Sequence, residues 1–200
     1  MSALTQLYEE INRCQRCPLS KTRTRAVPGD GPEDAEVMFV GEAPGWHEDQ
    51  QGKPFVGPAG KYLNQLLNSI NLDRDKVYIT NIIKSRPAGN RDPLPAEITA
   101  CHPWLVRQIE LIKPRMLVTL GRYSMALFFP GKTIGRIHGQ AQQRDGIIYF
   151  PMYHPAAALH QQGLRPTIEA DMLKIPRLLA EAKGEPEARE EPPQQQMNMF

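Results

Sequence analysis

Short apolar runs, each stopped by a residue with special backbone or hydrogen-bonding properties, constrain this chain more than any other feature. Val37–Val40 stops at Gly41, Val77–Thr80 at Asn81 and Met116–Leu120 at Gly121. Runs this short and this apolar suit strands buried on both faces. Ile147–Phe150 reads as a fourth. Helical stripes lie between them. Leu63, Leu66, Leu67 and Ile70 recur at i, i+3, i+4 and i+7, and Ile98, Cys101, Leu105, Ile109 and Ile112 form a second stripe. Pro95 suits the start of that second helix, and Pro103 inside it is expected to kink or delay it. Further helices are expected over Ala3–Arg13 and from Thr167 to Lys183. The alternation predicts a single-domain, three-layer α/β fold with a central, mostly parallel sheet of about four strands.

In such sheets ligands bind beyond the carboxyl ends of the strands. The unusual residues follow the strands, as that rule requires. After the first come GEAPG at 41–45, Trp46, His47, Glu48 and Asp49, then Phe55 within a Gly- and Pro-rich stretch. Asn81 ends the second, and Tyr153-His154-Pro155 follows the fourth. Each has an ordinary reading in isolation: Asn81 as a cap, His154 as a turn residue, Phe55 as core. Their convergence on one rim argues for a ligand site.

Charge and cysteine content bound the partners. Net charge is only +2, but residues 184–200 hold four acids (Glu185, Glu187, Glu190, Glu191) against one base, Arg189. The body, residues 1–183, is therefore moderately basic, which suits a polyanion. The Pro-, Glu- and Gln-rich tail lacks the apolar surface to order itself and reads as a flexible extension. No apolar run reaches membrane-spanning length, and the first residues lack the apolar centre of a secretory signal, so a cytoplasmic location is expected. Three cysteines, two of them spaced as Cys14-x-x-Cys17, suit a metal or redox site in a reducing compartment.

The segments GEAPG at 41–45, GKPFVGPAG at 52–60, YITNIIK at 78–84, NRDPLP at 90–95, LVTLGR at 117–122 and FPMYHPAA at 150–157 resemble family 4 of the uracil-DNA glycosylases, in order and spacing. The resemblance spans roughly residues 10–180. It implies a monofunctional DNA-repair glycosylase, active in base excision repair near the nucleoid. Such an enzyme flips uracil out of DNA and hydrolyses its N-glycosidic bond, leaving an abasic site. A non-catalytic DNA-binding iron–sulfur protein of the same fold, or a glycosylase of broader deaminated-base specificity, are the alternatives. A nucleotide-binding enzyme is disfavoured, since neither G-x-G-x-x-G nor a Walker-type Gly-Lys-Ser/Thr is present.

The resemblance implies roles residue by residue. Gly41, Ala43 and Phe55 line the base site, with Phe55 stacking on the uracil. Asn81 reads O4 and N3, and His154 donates to O2 of the departing base. The best-known family of these enzymes has an Asp where this chain has Ala43, so Glu42 is the expected water-positioning carboxylate, with Asp49 as the alternative. Capping of the GEAPG turn is the competing role for Glu42. Arg91 and Lys84 are candidate phosphate contacts, and Trp46 stacks on DNA, closes the pocket or simply packs. Pro155, Ala156, Ala157, Ala158 and Leu159 are expected to form a loop that enters the duplex, with Leu159 as the wedge.

Family 4 resemblance also implies four cysteines around a 4Fe–4S cluster with a structural role, and no catalytic metal. Cys14, Cys17 and Cys101 match three of these, but Ser85 stands where the family pattern reads Lys-Cys-Arg-Pro. The readings are a cluster on three thiolates with Ser85 or an outside ligand at the fourth iron, a three-iron cluster, or a damaged site. Zinc, with His102 as a further ligand, is a minority alternative. Finally, Gln196–Phe200 resembles the bacterial sliding-clamp-binding pentapeptide, an apolar hook on an acidic stalk. Expected partners are uracil-containing DNA and that clamp, with the enzyme itself a monomer.

Overall fold

A computed structural model describes residues 2–183. The expected acidic tail, 184–200, and its clamp-binding end therefore lie outside the described residues. Among the described residues there are five strands, β1 (Val37–Gly41), β2 (Tyr78–Asn81), β3 (Met116–Leu120), β4 (Gln142–Arg144) and β5 (Ile147–Met152). The helices are α1 (Ala3–Asn12), α2 (Trp46–Gln51), α3 (Pro58–Ser69), α4 (Pro95–Ile112), α5 (Arg122–Phe128), α6 (Ile134–Ile137), α7 (Pro155–His160), α8 (Arg165–Met172) and α9 (Ile175–Lys183). The sheet order is β2-β1-β3-β5-β4. All neighbours are parallel except β4, which pairs antiparallel with β5.

Side-chain alternation along the strands builds two cores. Val37 and Phe39 of β1, with Met116, Val118 and Leu120 of β3, point to a layer formed by α3, α8 and α9. Met38, Val40 and Leu117 point to the opposite layer, formed by α1 and α4. Both faces are buried, which is why these strands read as continuous apolar runs.

Three sequence expectations change. The sheet has a fifth strand, because β4 is polar and exposed along its length and carries no apolar signature. The last helix is divided into α8 and α9, with Pro176 at the second residue of α9. Pro103 does not delay α4, which already starts at Pro95 and continues through it to Ile112. No helix among the described residues is long and apolar enough to cross a membrane.

Candidate active site

β1 lies between β2 and β3, so the chain leaves β1 in one direction for β2 and returns to its other side for β3. That reversal opens a crevice at the strand ends. A cleft of about 660 Å³ occupies it, a size suited to a nucleotide-sized ligand. Glu42, Ala43, Phe55, Asn81, Gly121, Arg122, Tyr153 and His154 all line it. The cleft thus brings together Glu42, Ala43, Phe55, Asn81 and His154, which sequence reasoning selected.

Gly41 sets how closely they approach. A Cβ at that position would lie 2.4 Å from Asn81 Oδ1 and 2.7 Å from the Phe55 ring, so both side chains fold over a bare backbone. Asn81 is buried at the end of β2, and its Oδ1 is a buried acceptor with no hydrogen-bond partner. Leaving such an atom unpaired costs about 1–3 kcal/mol. A ligand N–H would recover that loss. Phe55 is itself strained, with φ of +52°. Its ring lies 5.5 Å from that of His154, the two planes inclined by 26°.

His154 immediately precedes α7, where its Nδ1 accepts from the Ala156 N–H at 3.1 Å. Burial pushes its pKa down to about 4, so the ring is neutral at pH 7 with its proton on Nε2. It is a donor without charge. Glu42 is half-buried, and its carboxyl is pushed up to about 7, first by burial and then by Asp92, with Arg122 opposing. The expected capping of the GEAPG turn falls instead to Glu48, which accepts from the backbone N–H groups of Gly45, Val56 and Gly57 at 3.1, 2.9 and 2.9 Å. Glu42 is left facing the cleft.

Several expectations are overturned. Asp49 does not serve as the alternative water-positioning carboxylate: it is buried and accepts the backbone N–H groups of Thr24 and Arg25 at 2.9 and 3.4 Å. Lys84 does not reach phosphate. It is buried, with Nζ donating to Thr80 Oγ1, the Asn81 carbonyl and Gln108 Oε1, each at 2.6 Å. Desolvation lowers its pKa to about 7, with Cys101 opposing. Trp46 is exposed, packs edge-on against His47 and is not part of the cleft lining, so it does not close the pocket. The expected wedge loop is a helix, α7. Pro155 and Ala158 are buried beneath it, Ala156 and Ala157 line the cleft, and Leu159 is 44% exposed.

Arg91 does line the cleft, held by two hydrogen bonds to Glu97 of 2.9 and 2.6 Å. Arg122 is a cleft residue that sequence reasoning missed, and it pairs with Asp92 at 2.7 Å. The signal was available: it follows Gly121 at the end of β3, the position the strand-end rule singles out.

On the far side of Lys84, a small cavity is lined by Cys14, Cys17, Ser85 and Cys101. Trp104 Nε1 donates to Cys14 Sγ at 3.3 Å, and the Lys84 N–H to Cys101 Sγ at 3.2 Å. Ser85 Oγ accepts from Arg23 at 2.9 Å. A complete four-thiolate set does not fit this chain, which has three cysteines. Three thiols with N–H donors at two of them suit three corners of an iron–sulfur cluster. Among the described residues, no group of three or more His, Cys, Asp or Glu is arranged to hold a single metal ion. His102 is exposed and outside the cavity, so the zinc alternative finds no support.

Residues 28–175 match the uracil DNA glycosylase superfamily. The chain belongs to that superfamily. A type-4 uracil-DNA glycosylase of Sulfurisphaera tokodaii is 48% identical over 185 residues, covering 88% of this chain and 84% of the relative. One from Archaeoglobus fulgidus is 45% identical over 184 residues, covering 88% and 92%. A type-5 uracil-DNA glycosylase of Pyrobaculum aerophilum is 33% identical over 150 residues, covering 66% of each chain. Higher identity over a larger share places this uracil-DNA glycosylase in the type-4 branch.

Proposed function

We propose that this uracil-DNA glycosylase excises uracil from DNA by enclosing the flipped base between Phe55, Asn81 and His154, above Gly41. The unpartnered Oδ1 of Asn81 carries the reading. It accepts from uracil N3–H while the amide N–H₂ donates to O4. Cytosine presents the reverse pattern, an acceptor at N3 and a donor at N4, and is rejected. Phe55 supplies the stacking face.

Breaking the N-glycosidic bond leaves positive charge on the sugar and negative charge on the base. The neutral His154 donates from Nε2 to uracil O2, stabilising the anion as it forms without needing to lose a proton. Glu42, as a carboxylate, orients water toward C1′ and accepts its proton as the new C–O bond forms. No metal takes part in this sequence. Arg91 and Arg122 offer the charge that holds the flanking phosphates.

Cys14, Cys17 and Cys101, which line one cavity with Ser85, would hold an iron–sulfur cluster, and that cluster would pin the N-terminal segment to the 84–101 region. Gln196–Phe200 recruits the enzyme to a sliding clamp. The enzyme acts as a monomer. A uracil-containing oligonucleotide, incubated with the enzyme and then with alkali, tests the reaction. Strand cleavage is expected, and its loss by at least about 10³-fold in Asn81→Ala. Intact strands with the unaltered enzyme would overturn the reading.

A further inference from the structure

Phe55 is an aromatic residue at φ of +52°, a conformation that side chains with a Cβ rarely adopt. Such a residue persists only where its surroundings leave no alternative. Gly60 supplies one constraint: a Cβ there would lie 1.8 Å from the Phe55 carbonyl oxygen, so the turn closes directly onto the first helical residues of α3. Arg74 supplies the other. From the turn preceding β2, its Nη1 donates to the Phe55 carbonyl at 3.1 Å and its Nη2 to the Pro54 carbonyl at 2.6 Å. Nη1 also donates to Asn64 Oδ1 of α3 at 3.0 Å, and Asp30 lies 3.9 Å away. A planar guanidinium that grips two successive carbonyls fixes both the position and the tilt of the peptide between them. An ammonium cannot do this.

Arg74 is not part of the cleft lining, so it touches neither base nor sugar. We propose that Arg74 is a positioning residue for base recognition, acting through Phe55. It holds the Pro54–Phe55 turn so that the ring stands against His154 and closes over Gly41 beside Asn81. This rests on the reading that Phe55 stacks on the flipped uracil.

The test is a double-mutant cycle on the full chain, with wild type, Phe55→Ala, Arg74→Met and the double variant. Single-turnover excision from a uracil-containing single-stranded oligonucleotide gives the saturated rate and the half-saturating concentration separately. Melting temperatures are measured in parallel, and reactions run well below the lowest. Each single substitution should lower the saturated rate about tenfold or more. The double variant should match Phe55→Ala within about twofold, although Arg74→Met lowers the melting temperature in both backgrounds. That non-additivity in rate, with additivity in stability, separates positioning from a general structural role. Should Arg74→Met not fold, Arg74→Lys takes its place in the cycle. An unimpaired rate in Phe55→Ala overturns the stacking reading. With Phe55→Ala impaired, an unimpaired Arg74 variant, or an equal penalty in both backgrounds, overturns the positioning role alone.

Discussion

The Ala156 N–H donates to His154 Nδ1 at 3.1 Å, and this one bond decides which nitrogen of the imidazole carries the proton. With Nδ1 committed as an acceptor, Nε2 is the donor. The same residue caps the start of α7, so the imidazole and that helix share one short segment. Removing the donor, in His154→Ala, should lower the excision rate about 10²–10³-fold with little change in half-saturation, as single-turnover kinetics would show. Native His154 is depressed to about 4 and so binds fewer protons than the unfolded chain, whose His titrates near 6.5. Its contribution to stability is present above pH 6.5 and is lost as pH falls toward 4. Melting temperature against pH should therefore be steeper in wild type than in His154→Asn across that window.

Glu42 sets the pH dependence of activity. Its carboxyl is raised to about 7 and must be ionised to accept a proton from water, so kcat/KM should rise as pH passes upward through about 7. The inflection should vanish in Glu42→Gln. Arg122 holds the value down and Asp92 pushes it up, so Arg122→Ala should move the inflection higher and Asp92→Asn lower. A profile that none of these substitutions alters would remove Glu42 from the reaction.

Gly41→Ala tests the close approach of Asn81 and Phe55. The added methyl must displace one of them, since the contacts would be 2.4 and 2.7 Å. The excision rate should fall about 10- to 100-fold through misplacement of the recognition groups, with the fold retained by circular dichroism. Full activity would mean that the site tolerates looser packing than the geometry implies.

Leu159 stands exposed on α7, at the side of the cleft where Ala156 and Ala157 face inward. A wedge matters only where a base must be pulled from a stack. Leu159→Ala should therefore slow excision from duplex DNA about tenfold while leaving single-stranded substrate nearly unaffected. Equal effects on both substrates would argue for a packing role.

Iron content and visible absorbance of the purified protein test the cysteine cavity. Cys17→Ser should lose iron and lower the melting temperature, by ~2–4 °C for each kcal/mol lost in a domain of this size. Ser85→Cys should retain more iron, because it completes the thiolate set and releases the Arg23 contact. If neither substitution changes iron content or stability, the cavity is an ordinary packing site.

The local pattern of residues determined the three layers, the four apolar strands and the rim on which Glu42, Asn81 and His154 meet. Each follows from a short apolar run and the residue that ends it, and such signals need no knowledge of distant parts of the chain. The polar edge strand β4 escaped, because its pairing with β5 comes from the Asp145-Gly146 turn rather than from hydrophobic patterning. Tertiary structure alone decided which charges face the cleft. Sequence resemblance favoured Glu42 but gave no physical ground for setting Glu48 and Asp49 aside. Only packing turns Glu48 and Asp49 inward onto backbone donors and leaves Glu42 in the cleft. Lys84 shows the same principle, since a basic residue expected to contact phosphate is buried against Thr80, Asn81 and Gln108. Whether an ionisable side chain meets solvent, ligand or backbone depends on what lies across from it, and those partners come from segments far away in the chain.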